Sequence, residues 1–359
     1  VLMLKGQYRK SMDYLQTAAR LFESIDDKEG ISEVYGNIGN LYFRQGAYEE
    51  AKAFFAESIE LSQKYDFIPV NAQIVSNLGL THMNQGDYDE GINVQKEQLA
   101  FCQKSNDKQG MATIFTFLGV VYLEKGDYDQ ALESFEKGLE LSEELGNKLL
   151  MPIAIGNIGI IYERKGNYEQ AMEQYQRDLQ ICEELGDKQG VAIALGLIGQ
   201  LLNIKGEFYK AIEYLQKDLM ISEELGYQKG IAKAVNTLGD VFFLTGNYQR
   251  SLHFYDRAID VTRKIGNKLV LGYSLVEKGA VLLEMKDEKN LLVVCHEALE
   301  VATDLGNPDL LFEAQVLQAR VNLKSGNREV AVSILKELEA NTLSTDQEAA
   351  IAFEWFRIN

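Results

Sequence analysis

Apolar residues recur along this chain at spacings of three and four, the pattern of helices that bury one face. In GNKLLMPIAIGNIGIIYERKGNYEQAMEQYQRDLQICEELGDK, residues 146–188, one such stretch stops at a glycine and a second follows at once. The breaks carry chemistry of their own. Gly146-Asn147, Gly186-Asp187 and Gly266-Asn267 put a residue tolerant of positive φ past one helix and an N-cap acceptor before the next. Gly86-Asp87, Gly126-Asp127, Gly166-Asn167 and Gly246-Asn247 do the same half a period away. Asp87 with Glu90, Asp127 with Gln130 and Asn167 with Gln170 predict capping boxes. The pattern thus predicts helix pairs: a helix A over roughly 28–45 of the repeating frame and a helix B over roughly 47–65, each about 25 Å long. Pro69, Pro152 and Pro308 all fall near the start of a helix A, where a missing N–H costs little; Pro152, the deepest, predicts a slight bend.

The frame itself comes from glycine. Gly39, Gly79, Gly119, Gly159, Gly199, Gly239 and Gly279 stand 40 residues apart, and Gly6, Gly46, Gly86, Gly126, Gly166, Gly206 and Gly246 form a second column that passes over Lys286 and resumes at Gly326. With 30 glycines in 359 residues, six further coincidences after Gly39 have chance odds on the order of 10⁻⁷. Each 40-residue unit is therefore one structural part, and the expected architecture is an all-α solenoid of antiparallel helix pairs, about eight to nine units in a single array. Full units read as 27–66, 67–106, 107–146, 147–186, 187–226, 227–266, 267–306 and 307–345, with partial units at 1–26 and 346–359. Residues 1–5 read as the last turn of a helix A. Asp346 reads as the cap of a new helix A, with Trp355 and Ile358 at its apolar positions. Both ends predict a fragment of a longer chain.

Composition narrows the class. Hydrophobic residues at 46% supply a core, and three prolines exclude a Pro-rich linker. Lys+Arg 36 against Asp+Glu 54 leaves a net charge of −18, which argues against nucleic acid as a partner and for a basic or neutral one. Cys102, Cys182 and Cys295 lie far apart without a CxxC, so neither a disulfide framework nor a zinc site is expected, and a reducing, cytoplasmic compartment is. No apolar run reaches 18 residues and the amino terminus lacks a secretory apolar region, so no membrane partner is expected.

Three sets of columns now stand together. Phe115, Leu118, Gly119, Tyr122 and Ile155, Ile158, Gly159, Tyr162 mark helix A; Ala51 with Phe55, Ala131 with Phe135 and Ala171 with Tyr175 mark helix B. Tyr8, Tyr48, Tyr88, Tyr128, Tyr168, Phe208 and Tyr248 mark the turn. Together they resemble the tetratricopeptide repeat, in its longer variety found in kinesin light chains, Pins-type adaptors and many bacterial signalling proteins. The resemblance implies a right-handed superhelix whose inner wall is helix A. It weakens at His82, Gly91 and Gln95 in the second full unit, and at Lys278, Lys286 and Ala319 over 275–340.

By the same resemblance, inner-wall positions lie three and two residues before the helix-A glycine, and one, four and five after it. Three before stand Gly36, Ser76, Thr116, Gly156, Gly196 and Asn236, mostly small; two before stand Asn37, Asn77, Phe117, Asn157, Leu197 and Thr237. Asn40 and Asp240 stand one after, and Phe43, Met83, Leu123 and Phe243 four after. Small residues beside a partial asparagine ladder predict a groove for an extended chain, because a carboxamide both donates and accepts and so pairs with any ligand backbone. The candidate site is Asn37, Asn40, Asn77, Asn157 and Asn236, with Phe43, Met83, Phe117, Leu123 and Phe243 as apolar anchors. Long-helix relatives imply backbone holding for Asn37, Asn77 and Asn157 alone. Bonds between neighbouring helices explain the asparagines equally, and packing against the adjoining unit explains the anchors.

Catalytic signals are weak. His82, His253 and His296 share no spacing for a metal or a base–nucleophile pair, and His82, in the Tyr42/Tyr122/Tyr162 column, reads as a buried, hydrogen-bonded core residue. Cys102 and Cys182 share a small packing position with Ser62, Ser142 and Ser222. Neither GxxxxGK[ST] nor HExxH occurs, so no catalytic residue, cofactor or metal is expected. Glu143-Glu144, Glu183-Glu184 and Glu223-Glu224 read most simply as a solvated face, the alternative being an acidic stripe, built by repetition, that attracts basic segments. Two readings follow: a scaffold binding a protein or peptide in its groove, or the sensor arm of a larger bacterial signalling enzyme such as a nucleotide cyclase, kinase or NTPase. A Rap-like phosphatase regulator is set aside, because it needs a separate amino-terminal bundle that the unbroken phase from Gly6 does not provide.

Overall fold

The computed structural model describes residues 8–65, 72–340 and 344–358, and these are helices and short connections throughout. Gly6, Pro69 and the helix turn expected at 1–5 lie outside the described residues. The chain divides into two compact units, 1–186 and 187–359. In the first, α1 (Tyr8–Ser24) is a helix B, followed by the pairs α2 (Lys28–Gln45) with α3 (Tyr48–Lys64), α4 (Ala72–Asn84) with α5 (Tyr88–Lys104), α6 (Lys108–Lys125) with α7 (Tyr128–Glu144), and α8 (Met151–Arg164) with α9 (Tyr168–Leu185). In the second, α10 (Lys188–Ile204) pairs with α11 (Phe208–Leu225), α12 (Gln228–Leu244) with α13 (Tyr248–Ile265), α14 (Lys268–Met285) with α15 (Glu288–Leu305), and α16 (Pro308–Lys324) with α17 (Arg328–Glu339). A further helix A, α18 (Thr345–Ile358), ends it.

The glycine column explains the pairing. Phe135, wholly buried, lies flat on Gly119, where an added Cβ would stand 2.7 Å from its Cδ1. Phe55 on Gly39 and Tyr175 on Gly159 repeat the contact. Each such ring contributes about 1.5–3 kcal/mol by burial, which no helix could secure alone.

The caps depart from expectation in an instructive way. Asp127, Asn247 and Asn267 each accept a backbone N–H of the helix they open, but the Asp87 and Asn167 side chains make no cap bond. None of the three expected capping boxes closes. The backbone N–H that each box requires is taken: Asp87, Asp127 and Asn167 donate to the carbonyls of His82, Tyr122 and Tyr162, closing the preceding helix. Pro152 gives no cause for a bend, because α8 starts late, at Met151, and the proline falls in its first turn. Ser344, not Asp346, opens α18. Its Oγ accepts from the Gln347 N–H at 3.3 Å while Gln347 Oε1 accepts from the Ser344 N–H at 3.1 Å, a closed capping box.

Candidate functional site

Within each unit, helix A packs backbone to backbone on the next helix A: α2 on α4, α4 on α6, α6 on α8, and likewise α10 through α18. Among the described residues no helix B packs on the next helix B in this way. Helix A therefore takes the inside of the curve, and its outward positions form a wall in each unit.

In the first unit the structure brings Asn40 and Asn77 together. Asn77 Nδ2 donates to Asn40 Oδ1 at 2.6 Å, and Gln73 donates to Asn77 Oδ1 at 3.1 Å. Asn37 and Asn157 are not joined to them; each donates to a carbonyl of its own helix, Glu33 at 3.0 Å and Ile153 at 2.7 Å. Phe43 and Phe117 are half-buried, Phe43 tilted over Tyr48 at 5.9 Å, and Met83 and Leu123 lie half-buried on the core that runs from Ile92 to Ile181. A carboxamide offers two donors and two acceptor lone pairs, so these bonds leave each amide with hydrogen-bonding capacity to spare.

The small column three before the glycine is not a groove floor. Gly36, Ser76, Thr116, Gly156 and Gly196 are buried, and they seat the adjoining helices: Ile74 lies against Gly36, Asp178 against Gly156 and Asp218 against Gly196. Close helix approach consumes the space that small side chains leave. Asn236, in the same column, is half-buried and accepts from Ser274 Oγ at 2.8 Å, tying α12 to α14.

The second unit presents acids where the first presents amides. Asp240 takes the place of Asn40 and Glu277 that of Asn77. Burial pushes Asp240 up to about 6, although the Tyr255 hydroxyl donates to it at 2.5 Å. Glu277 rises to about 7, first from burial and then from the charges of Asp240 and Glu313, against the pull of Arg320. Glu313, exposed over much of its surface, is raised as well, by partial desolvation of its carboxyl ahead of Arg320's opposing effect. Arg320 is already engaged, with Nε and Nη2 at 2.9 and 2.8 Å from Oε1 of the wholly buried Glu354. Phe243, half-buried, tilts over Tyr248 at 5.8 Å. Asp240 was legible in its column. Glu277 and Glu313 were not, although Glu277 stands two before Gly279 and continues the asparagine column one unit further.

Two other expectations are corrected. The acidic stripe is largely neutralised: Glu144 and Glu224 pair with Lys108 and Lys188 at helix-A starts, Glu184 with Lys148 in the turn before α8, and Glu143 and Glu223 with Arg177 and Arg257 of the next helix B. His82 is half-buried but not hydrogen-bonded through Nδ1, whose nearest carboxylate oxygen, on Asp87, stands 4.0 Å away. His253 packs edge-on against Phe254 and His296 is exposed beside Glu300. Cys102, Cys182 and Cys295 are buried free thiols. Among the described residues no three metal-ligating side chains converge, and no helix is long and apolar enough to cross a membrane.

Tetratricopeptide-repeat models match residues 1–64, 71–144, 150–224 and 190–264, and a second such model matches 37–97. The chain belongs to the tetratricopeptide-repeat family. A model of anaphase-promoting complex subunit 5 matches residues 242–324 of this tetratricopeptide-repeat chain. No curated protein matches it. A solved structure similar to it is the STAND signal-transduction ATPase with a tetratricopeptide repeat sensor from Pyrococcus horikoshii, at TM-score 0.65 and 14% identity over 94% of this chain and 52% of that one. A Rap protein complexed with competence and sporulation factor matches at TM-score 0.63 and 14% identity, over 92% and 97% of the two chains. Aspartyl phosphate phosphatase F from Bacillus subtilis matches at TM-score 0.61 and 15% identity, over 89% and 86%. At these identities the likeness is one of fold. The repeat chain spans about half of the STAND protein.

Proposed function

We propose that this tetratricopeptide-repeat chain is a protein-interaction scaffold that holds an extended peptide or helix of a partner along its helix-A walls. The observation that carries the reading is the wall of the second unit, where Glu277 feels the charges of Asp240 and Glu313 together with that of the Arg320 guanidinium, which Glu354 already holds. Carboxylates held above their ordinary range by burial and mutual repulsion gain most from a cation arriving with the ligand. The partner of the second unit is therefore a protein segment carrying Lys or Arg, and on the first unit, taken by itself, the amides of Asn37, Asn77 and Asn157 are offered to the backbone of a bound segment. The Rap protein complexed with a factor supports the reading by fold. A reducing cytoplasm suits three buried free thiols. The scaffold has no catalytic role of its own.

Selection from a random peptide display library tests this. Enriched sequences rich in Lys or Arg, losing at least about tenfold affinity on Asp240→Asn with Glu277→Gln, are the expected outcome. Enrichment of acidic sequences, or affinity indifferent to both substitutions, overturns it. Likeness to the STAND protein, of which this chain spans 52%, supports the second reading, a sensor arm within a signalling enzyme. The complete gene decides that reading by the presence or absence of a nucleotide cyclase, kinase or NTPase domain.

A further inference from the structure

The second full unit is built unlike its neighbours. Where Phe55, Phe135 and Tyr175 cover the helix-A glycine, α5 supplies Gln95. Gln95 is wholly buried, its Nε2 lies against Gly79, and neither Nε2 nor Oε1 has a hydrogen-bond partner. One turn earlier Gly91 stands where the other units have Ala51, Ala131 and Ala171. It lets α5 come so near α4 that an added Cβ would stand 2.7 Å from the Gly79 carbonyl oxygen. His82, in the tyrosine column, contributes a third buried atom without a hydrogen bond, Nδ1. No such atom occurs in the adjacent pair α6–α7. A desolvated polar group without a partner costs stability at a position where its counterpart gains apolar burial, so one pair bears the penalty three times.

We infer that the α4–α5 pair is a built-in opening element: under native conditions it separates and re-forms locally while α6–α7 beside it stays folded. Local opening of this kind follows local stability, and the weakest packed element opens first. Opening withdraws Asn77 and Met83 from the wall and breaks the Asn77–Asn40 bond, so the first unit holds a ligand only while this pair is closed. That consequence rests on the scaffold reading. The opening itself does not.

Hydrogen exchange followed by mass spectrometry on the full chain tests it. Amides of α4 and α5 are expected to show protection at least about tenfold below those of α6 and α7. Gln95→Leu, the residue type of Leu215 in the same column, is expected to raise α4–α5 protection about tenfold and leave α6–α7 unchanged, because it swaps an orphaned amide for an apolar group of similar size. Phe135→Gln is expected to transfer the low protection to α6–α7. Equal protection of the two pairs in the unmodified chain overturns the inference. So does Gln95→Leu leaving α4–α5 protection unchanged or lower, since the amide would then be satisfied by trapped water. Should Phe135→Gln fail to fold, the unmodified chain and Gln95→Leu decide.

Discussion

Lys286 closes α14 with φ +60, in the column where Gly46, Gly126 and Gly246 hold the same left-handed conformation without a Cβ. The left-handed region costs a non-glycine residue about 1–2 kcal/mol, part of which a glycine returns as unfolded-chain entropy. Lys286→Gly is therefore expected to stabilise the chain by about 0.5–1 kcal/mol, read as a higher urea midpoint at unchanged slope. This position was legible, because a broken glycine column names both the residue and the backbone state it must adopt. Asp178 and Asp218 were not. A charged residue on helix B reads as surface, and only the packed fold shows both carboxylates buried against Gly156 and Gly196, with Asp218 pushed up to about 6 by desolvation. Gly196→Ala sets a Cβ 2.6 Å from Asp218 Oδ2. A loss of about 1–3 kcal/mol is expected, and a thermal melt within error of the unmodified chain would show that the helices yield instead.

Between elements, the ion pairs differ more in burial than in geometry. Lys165 and Asp129 meet at 2.7 Å between α8 and α7, with the carboxylate side chain 88% exposed. Water and salt screen such a contact, so Lys165→Ala is expected to change stability by less than about 0.5 kcal/mol. Arg320 and Glu354 tie α16 to α18 with the glutamate wholly buried. Arg320→Ala strands that carboxylate without its cation, and a loss of about 3–5 kcal/mol is expected, partly recovered by adding Glu354→Gln. Chemical denaturation of the two single variants and the double variant measures both. The repeat period foretold which helices would adjoin, since pairs such as Lys148–Glu184 and Lys188–Glu224 recur 40 residues apart. It could not foretell that most of these glutamates would be neutralised, because the partner lies 36 residues away in sequence and no local pattern links the two.

At the scale of the molecule, His82 of the first unit and the buried carboxylates of the second act in opposite senses as pH changes. His82, in the first, is held below its usual value, first by burial and then by Lys52, with Glu90, Asp87 and Glu49 pulling the other way. Its folded form binds fewer protons than the unfolded chain as pH falls below about 6.5, so acid weakens the first unit. Asp240 and Glu277, in the second, lie near 6 and 7, and Asp218 near 6. Their folded forms bind more protons than the unfolded chain above about pH 4, so the stability they contribute is full in acid and lost as pH rises through 6 to 7. Hydrogen exchange at pH 5.5 and 8, corrected for intrinsic rates, is expected to show α4–α5 gaining protection at the higher pH while α12–α14 loses it. Parallel changes in both segments would contradict the assignment. The same ionisation sets the ligand dependence: a Lys- or Arg-bearing peptide meets partly protonated carboxylates at pH 5.5 and charged ones at pH 8. Its affinity is expected to rise about tenfold across that interval, and Asp240→Asn with Glu277→Gln is expected to flatten the rise. A fall in affinity over the interval would show that protonated carboxyls, acting as donors to a ligand backbone, are the binding form, and that the wall selects no cation.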